Sequence, residues 1–513
     1  MSATSPPGIL PVIPLDRKSD KPLYKQLYEG YRNAIVEHRL RSGQRLPSTR
    51  SLAVELQISR IPVLNAFEQL LAEGYFESRV GSGTFVASSL PDAISRPARQ
   101  AAPARKHVRT PPSQRILAKR SEEVPQTASW PWLEGLEPFH CPSPPLDQFP
   151  LKVWSRLVAR HSWPEAHDLQ YHLPMGLPEL RETIAEYLRT SRAVRCDADQ
   201  IMIVSGSQQA LDLTTRVLLD DGSPVWVEEP GYFGTHHALR LGGVRLVPVP
   251  VSDEGLDVEA GIALCPRPRA VFVTPSHQLP LGVTMSASRR LRLLEWADAR
   301  GVWIIEDDYD GEYRYGNLPI ASLQGLDRGS RVIYIGTFTK CLFPSLRLGY
   351  VVLPRDLVPA FTSTRRAMDM FSPLFFQRVV ADFIRDGHFD RHLRRTRLVC
   401  RERREALVAA LDREFGSTLQ VTGDEAGMFL MTILPPGHRD RDVALRAARH
   451  GVRTFPLSSC YVGRPRQQGL VLGYGGFSPK ELEKGVRRLG AVLADEASSS
   501  TSPAPARTSR RSG

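Results

Sequence analysis

Residues 302–350 read VWIIEDDYDGEYRYGNLPIASLQGLDRGSRVIYIGTFTKCLFPSLRLGY. Two short runs within this stretch, VWIIE at 302–306 and RVIYIG at 331–336, are apolar and β-branched, as strands buried on both faces require. The first runs into Asp307-Asp308-Tyr309-Asp310, and the second into Thr337-Phe338-Thr339-Lys340, with Arg347 seven residues beyond the lysine. Similar runs stand upstream, IMIV at 201–204, PVWVE at 224–228 and AVFVT at 270–274, and helical stretches alternate with them. This alternation predicts an α/β body built on a parallel sheet covered on both faces. Ligands of such sheets collect beyond the C-terminal ends of the strands, so the segments after each strand are where chemistry is expected.

Taken singly, none of these segments is distinctive. A lone TFTK is ordinarily a surface-loop lysine, and Ser207 in IMIVSGSQQALDLTTRVLL reads equally well as an ordinary helix cap. Their order and their placement after strands point to pyridoxal 5'-phosphate, which needs a lysine, a carboxylate for the pyridine nitrogen, phosphate donors and an aromatic face. Lys340 suits the first role, because lysine loses its proton when partly buried. Asp307 suits the second; Asp308 is the competing carboxylate, which strand alternation turns away. Tyr309 can reach the ring's phenolic oxygen, and Tyr232 in EEPGYFG is the stacking candidate. Gly206-Ser207-Gln208 open an amphipathic helix whose N–H groups can cradle an anion, to which Thr337 adds a hydroxyl and Arg347 a cation.

Further toward the N-terminus the pattern changes. Leu23, Leu27, Tyr31 and Ile35 form one apolar stripe on a first helix; Ser48 caps a second, with Leu52, Ala53 and Leu56 inward; Ser59 caps a third, with Val63, Ala66, Phe67 and Leu70 inward. YFESR and TFVA then flank Val80-Gly81-Ser82-Gly83 as a hairpin with a glycine-rich tip. Three helices and a hairpin make a winged helix-turn-helix, whose third helix enters the major groove of double-stranded DNA. Arg45, Ser48, Arg50, Ser59, Arg60, Asn65 and the tip glycines Gly81 and Gly83 are the candidate contacts. The competing reading is a helical protein-binding module with surface arginines. Pro62 is expected to push Ile61 out of helical geometry, so that the third helix starts late or bends.

Charge is concentrated at the same end. Residues 1–90 carry 11 basic and 8 acidic side chains and residues 91–128 carry 8 and 3, so this quarter holds eight of the twelve net positive charges. That suggests a polyanion partner, although a solubilising arm has the same composition. Residues 89–128, rich in Pro, Ala and Arg, predict a disordered linker, and 495–513 a disordered tail. The domain plan is therefore a DNA-binding unit over 20–88 and a large body over 129–494. Six scattered cysteines have neither zinc-site spacing nor a disulfide framework, and no metal is expected. No apolar run approaches the roughly 18 residues of a membrane span, and the opening lacks a signal peptide's layout, so a cytoplasmic location without membrane contact is expected.

The blocks RLPSTRSLA, SRIPV, AFEQLLAEGYFESR and GSGTFVA resemble the DNA-binding domain of GntR-type regulators. In order, SGSQQAL, EEPGYFG, TPSHQLPLG, IIEDDYDGEYRY, YIGTFTK and FPSLRLGY resemble fold type I aminotransferases, most closely the aminotransferase-like domain of MocR-type regulators. The resemblance implies that Lys340 anchors the cofactor, that Asp307, Tyr309 and Tyr232 hold its ring, and that Ser207, Gln208, Thr337 and Arg347 hold its phosphate. It further implies that His277 and Gln278 lie in the loop bearing a ring-contacting Asn in aminotransferases, and that Tyr171, in YHLPMGLPELR, reaches the partner's phosphate site in a domain-swapped homodimer. Three departures stand out. Gln57 occupies a turn position usually given to glycine, Leu281 a hydroxyl position, and Val471, in GLVLGYGG, the place of the arginine that grips a substrate carboxylate. Arg464 or Arg466 is the candidate substitute. The expected function is a transcriptional regulator whose effector is pyridoxal phosphate, or a small amine or amino acid condensed with it. A working aminotransferase with an accessory DNA-binding domain is the alternative.

Overall fold

The computed structural model describes residues 13–17, 19–79, 82–87, 118–122, 135–141, 143–163, 169–315, 321–423 and 426–500. The chain divides into two compact units between Arg115 and Ile116. In the first, helices α1 (Leu23–Val36), α2 (Thr49–Glu55) and α3 (Arg60–Ala72) precede a hairpin of β1 (Phe76–Arg79) and β2 (Gly83–Val86). The inward residues are those the spacing predicts: Leu27, Tyr31 and Ile35 meet Val63, Phe67 and Leu70. The rings of Tyr31, Phe67 and Phe76 meet edge to face at 5.0 to 5.9 Å.

Two expectations are corrected here. The unit begins before residue 20: Ile13 is buried in its core, lying where a Cβ on Gly30 of α1 would stand, and Arg17 donates to the carbonyls of Leu56 and Gln57. The third helix neither starts late nor moves past Pro62. It starts at Arg60, because Pro62 falls in the first turn, where the missing N–H has no intrahelical acceptor to lose.

In the second unit α4 (Lys119–Glu122), α5 (Leu151–Arg160) and α6 (Pro178–Ser191) lead into a sheet. Its strands are β3 (Ile201–Val204), β4 (Pro224–Glu229), β5 (Arg245–Ser252), β6 (Gly255–Leu256), β7 (Ala270–Val273), β8 (Trp303–Asp308), β9 (Val332–Thr337) and β10 (Gly349–Val352). Between them run α7 (Ser207–Leu218), α8 (Phe233–Leu241), α9 (Val258–Leu264), α10 (Ala287–Arg300) and α11 (Leu323–Leu326). Helices α12 (Val358–Met368), α13 (Phe375–Arg385) and α14 (His388–Phe415) then lead to a smaller sheet of β11 (Gln420–Thr422), β12 (Phe429–Ile433), β13 (Phe455–Pro456) and β14 (Gly469–Gly473). With it pack α15 (Asp440–Arg449) and α16 (Pro479–Ser500).

The large sheet has the order β3-β10-β9-β8-β7-β4-β5-β6 and is mixed rather than wholly parallel. Strand β10 runs antiparallel to both neighbours, and β6 to β5. Because β10 reverses against β3 and β9 alike, β3, β4, β7, β8 and β9 still present their C-terminal ends on one edge. The smaller antiparallel sheet was not anticipated; its strands are two to five residues long, too short for a clear alternation.

Of the segment expected to be linker, residues 118–122 are described and include the single turn α4; the rest lies outside the described residues. The expected tail is helical as far as Ser500, since Asp495 to Ser500 contain neither Pro nor Gly and extend the last helix; 501–513 lie outside the described residues. All six cysteines are buried and unpaired, and among the described residues no cluster suits a metal and no helix is long and apolar enough to cross a membrane.

Candidate functional site

In the first unit Ser48 caps α2, accepting from the Ser51 N–H at 3.1 Å, whereas Ser59 stands at the start of α3 without a side-chain cap bond. Arg45, Arg50, Arg60 and Asn65 are exposed. The Arg60 guanidinium reaches Thr49 Oγ1 (3.4 Å) and so ties the start of α3 to the start of α2. Arg45 bridges to Phe85 of the wing, and Gly83, at φ 106°, leaves room for its guanidinium, 3.6 Å from where a Cβ would stand. Gly81 lies outside the described residues. A cation that sequence reasoning missed, Arg79 on β1, sits 4.5 Å over the Phe85 ring and pairs with Glu77. Its position on the wing becomes apparent only once the hairpin register, Glu77 opposite Phe85, is known.

In the second unit the strand ends gather the predicted residues. Asp307 and Asp308 end β8 and part at once. Asp308 Oδ2 accepts from Arg192 Nε (2.7 Å) and the Tyr334 hydroxyl (2.6 Å), while its Oδ1 is buried without a partner. Asp307, 3% exposed, keeps Oδ1 buried with no hydrogen-bond partner. Burial, then the charges of Asp308, Asp310 and Glu228, push its pKa up to about 8, a shift that Lys340 opposes. Lys340 lies in the loop after β9, and burial lowers its pKa, against the pull of Asp310 and Asp307.

After β3, Gly206 adopts φ 97° and starts α7, with Ser207 and Gln208 half-buried in its first turn. Arg347, left-handed at φ 49°, donates to the Ser205 carbonyl (2.8 Å) and stands 3.4 Å from where a Gly206 Cβ would lie. A Cβ at 206 would meet that guanidinium at ordinary contact distance, so the φ of 97° is what favours glycine there. Gln208 Nε2 approaches the Tyr232 hydroxyl at 3.5 Å, and the Thr337 hydroxyl turns to Thr339 Oγ1 at 3.0 Å. The result is a run of helix N–H groups, hydroxyls and one guanidinium suited to an anion.

After β7 the two neighbours His277 and Gln278 differ. His277 pairs through Nδ1 with Asp310 (2.9 Å), lies 4.5 Å from the Phe429 ring, and keeps Nε2 buried without a partner. Gln278 instead braces the loop, donating to the Pro230 and Leu279 carbonyls and accepting from the Leu281 N–H. The Tyr309 hydroxyl donates to the His277 carbonyl at 2.9 Å. Arg192 and Asp310, which position Asp308 and His277, went unnoticed in the sequence, because each partner is distant along the chain or hidden in an acidic run. Val471 is 1% exposed on β14, between Met431 of β12 and Phe455 of β13, and Arg464 and Arg466 lie exposed on the loop before it. Tyr171 is 81% exposed and meets Phe371 edge to face at 6.3 Å.

Residues 23–86 match the family model of bacterial regulatory proteins of the gntR family, and residues 159–489 that of aminotransferase class I and II. The probable rhizopine catabolism regulatory protein MocR of Rhizobium meliloti is 42% identical over 489 residues, 94% of this chain and 96% of its own. The chain belongs to the MocR-type regulators of the GntR family. Among MocR-type relatives, the pyridoxine biosynthesis transcriptional regulator PdxR of Corynebacterium glutamicum is 30% identical over 450 residues, 88% of this chain and 91% of its own. The second unit has the fold of LysN, the α-aminoadipate aminotransferase of Thermus thermophilus solved with N-(5'-phosphopyridoxyl)-L-leucine. That match has a TM-score of 0.67 at 32% identity and covers 75% of this chain and 97% of LysN. This MocR-type chain is thus a transcriptional regulator that joins a DNA-binding winged helix-turn-helix to an aminotransferase-like domain, a domain family that depends on pyridoxal phosphate.

Proposed function

We propose that this regulator binds pyridoxal 5'-phosphate on Lys340, and that its affinity for double-stranded DNA is set by that cofactor or by a small amine or amino acid condensed with it. The observation that carries the proposal is Asp307 Oδ1, buried and without a partner in a site where burial and neighbouring carboxylates penalise its charge. A protonated pyridine nitrogen is the donor that would satisfy it. Ser207, Gln208, Thr337 and Arg347 would hold the phosphate, Tyr232 the ring face, and Tyr309 the phenolic oxygen.

When bound, the cofactor supplies an electrophilic carbon that captures amines. The protein's own groups prepare that capture. Burial lowers the Lys340 pKa and so enriches the neutral, nucleophilic amine, and Asp307 would pair with a protonated pyridine nitrogen. A ligand shifts DNA affinity tenfold when it prefers one conformer by about 1.4 kcal/mol. We further propose a domain-swapped homodimer, because exposed Tyr171 and Leu173, with Phe375 and Phe376 on α13, leave apolar surface for a second copy.

Absorption spectra of the purified protein test the reading. A visible band is expected in the wild type and absent in Lys340→Ala, with DNA affinity changing when the cofactor is removed. A protein lacking any Lys340-dependent band would refute it. Sustained transamination over many turnovers with an amino acid and a keto acid would favour the enzyme alternative instead.

A further inference from the structure

The chemistry of the ligand follows from where the departures from the aminotransferase pattern meet. Leu279 and Val471 belong to one apolar cluster with Tyr309 and Phe429, and Leu281 and Tyr232 pack against it. The cluster therefore spans from the residue proposed to stack on the cofactor to the residue proposed to meet its oxygen. Val471 itself lies against Met431 and Phe455, and the Phe455 ring stacks on Phe233 at 5.3 Å. By the resemblance drawn from the sequence, this cluster puts hydrocarbon where an aminotransferase has a guanidinium and a hydroxyl.

The charges point the same way. Among the groups acting on Lys340 are the carboxylates of Asp310 and Asp307, the Cys141 thiol and the Arg347 guanidinium. Arg347 is held at the first turn of α7 by its bond to Ser205, in the proposed phosphate cradle, and Arg464 and Arg466 are exposed on the loop beyond β13. A ligand carboxylate would enter a site with two nearby aspartates and an apolar wall, and a buried carboxylate without a cation is strongly disfavoured.

We propose that the effector is a primary amine that carries no carboxylate. The inference rests on the cofactor reading above. The incoming amine forms a C=N bond in place of the one to Lys340 Nζ, its two N–H protons pass to Nζ, and the lysine departs as a neutral amine. The exchange involves no oxidation and no net water.

Holoprotein loaded with pyridoxal phosphate is titrated with matched pairs, 3-methylbutylamine against leucine and 2-phenylethylamine against phenylalanine, following the visible band and the melting temperature. Each amine is expected to act at a concentration at least about tenfold below its amino acid, and Val471→Arg to narrow or reverse the order. Amino acids acting at equal or lower concentration than their amines overturn the proposal, as does an amino-acid response that vanishes in Arg464→Ala or Arg466→Ala. A Lys340-dependent band that no amine moves overturns it too, while leaving the cofactor reading intact. Absence of the band removes both. Because Val471 is buried, its arginine variant can fail to fold, and the wild-type pairs then decide.

Discussion

Asp307 and Asp308 each keep Oδ1 buried and without a partner, but Asp308 is also engaged through Oδ2 by Arg192 and Tyr334. A carboxyl group whose folded pKa is raised to about 8 stabilises the fold while protonated, so that contribution is complete below its ordinary value near 4 and is lost as pH rises through 8. Cofactor-free Asp307→Asn is therefore expected to melt above the cofactor-free wild type at pH 8 and level with it at pH 4, and to bind pyridoxal phosphate more weakly. Thermal melts at the two pH values and an absorption titration check both halves. On the DNA side, Arg50→Ala and Arg60→Ala should each weaken binding severely and lower the salt slope by about 1, as loss of one phosphate contact does. Unchanged affinity and slope in both variants would remove these residues from the interface. Lys340 and Asp307 stand out as candidates in the sequence because they lie at or just beyond strand ends in a fixed order. Arg192 and Asp310 do not, because their roles depend on folding partners 116 and 33 residues away.

Gln57 links α2 to α3 with φ 50°, a left-handed conformation that a side chain opposes, and Arg17 braces it by donating to its carbonyl. Gln57→Gly is expected to stabilise the first unit by about 1 kcal/mol, read as a higher urea midpoint at unchanged slope. The end of α6 is tied to the end of β8 by the buried pair of Arg192 and Asp308, which also draws in the Gly311 carbonyl and Ser276. Arg192→Met leaves a buried carboxylate without its cation and should cost about 3–5 kcal/mol, measured by denaturant unfolding. The helices of the first unit and five strands of the large sheet were legible from apolar spacing alone. The reversal of β10 was not, because GYVV carries no mark of direction, and Pro62 misled because its local preference yielded to its place in the first turn of α3.

The two units have separate cores, that of the first drawn entirely from residues 13–86. Calorimetry should therefore show two transitions. Pyridoxal phosphate at about a hundredfold excess over its Kd should add about 2.7 kcal/mol to the second and leave the first in place. A cofactor that moved both transitions equally would show that the units unfold together. Within the second unit, Thr337 pairs with Gly349, so residues 338–348 form one hairpin loop that carries both Lys340 and Arg347. That loop works as a caliper: a single strand register sets the span between the amine that would capture an aldehyde and the guanidinium that would meet a phosphate. Adding one residue between Leu342 and Leu346 would keep both jaws but displace one against the other, and so alter the gap. A regulator so changed would keep its chemistry and lose its gauge, discriminating poorly between phosphorylated and unphosphorylated aldehydes.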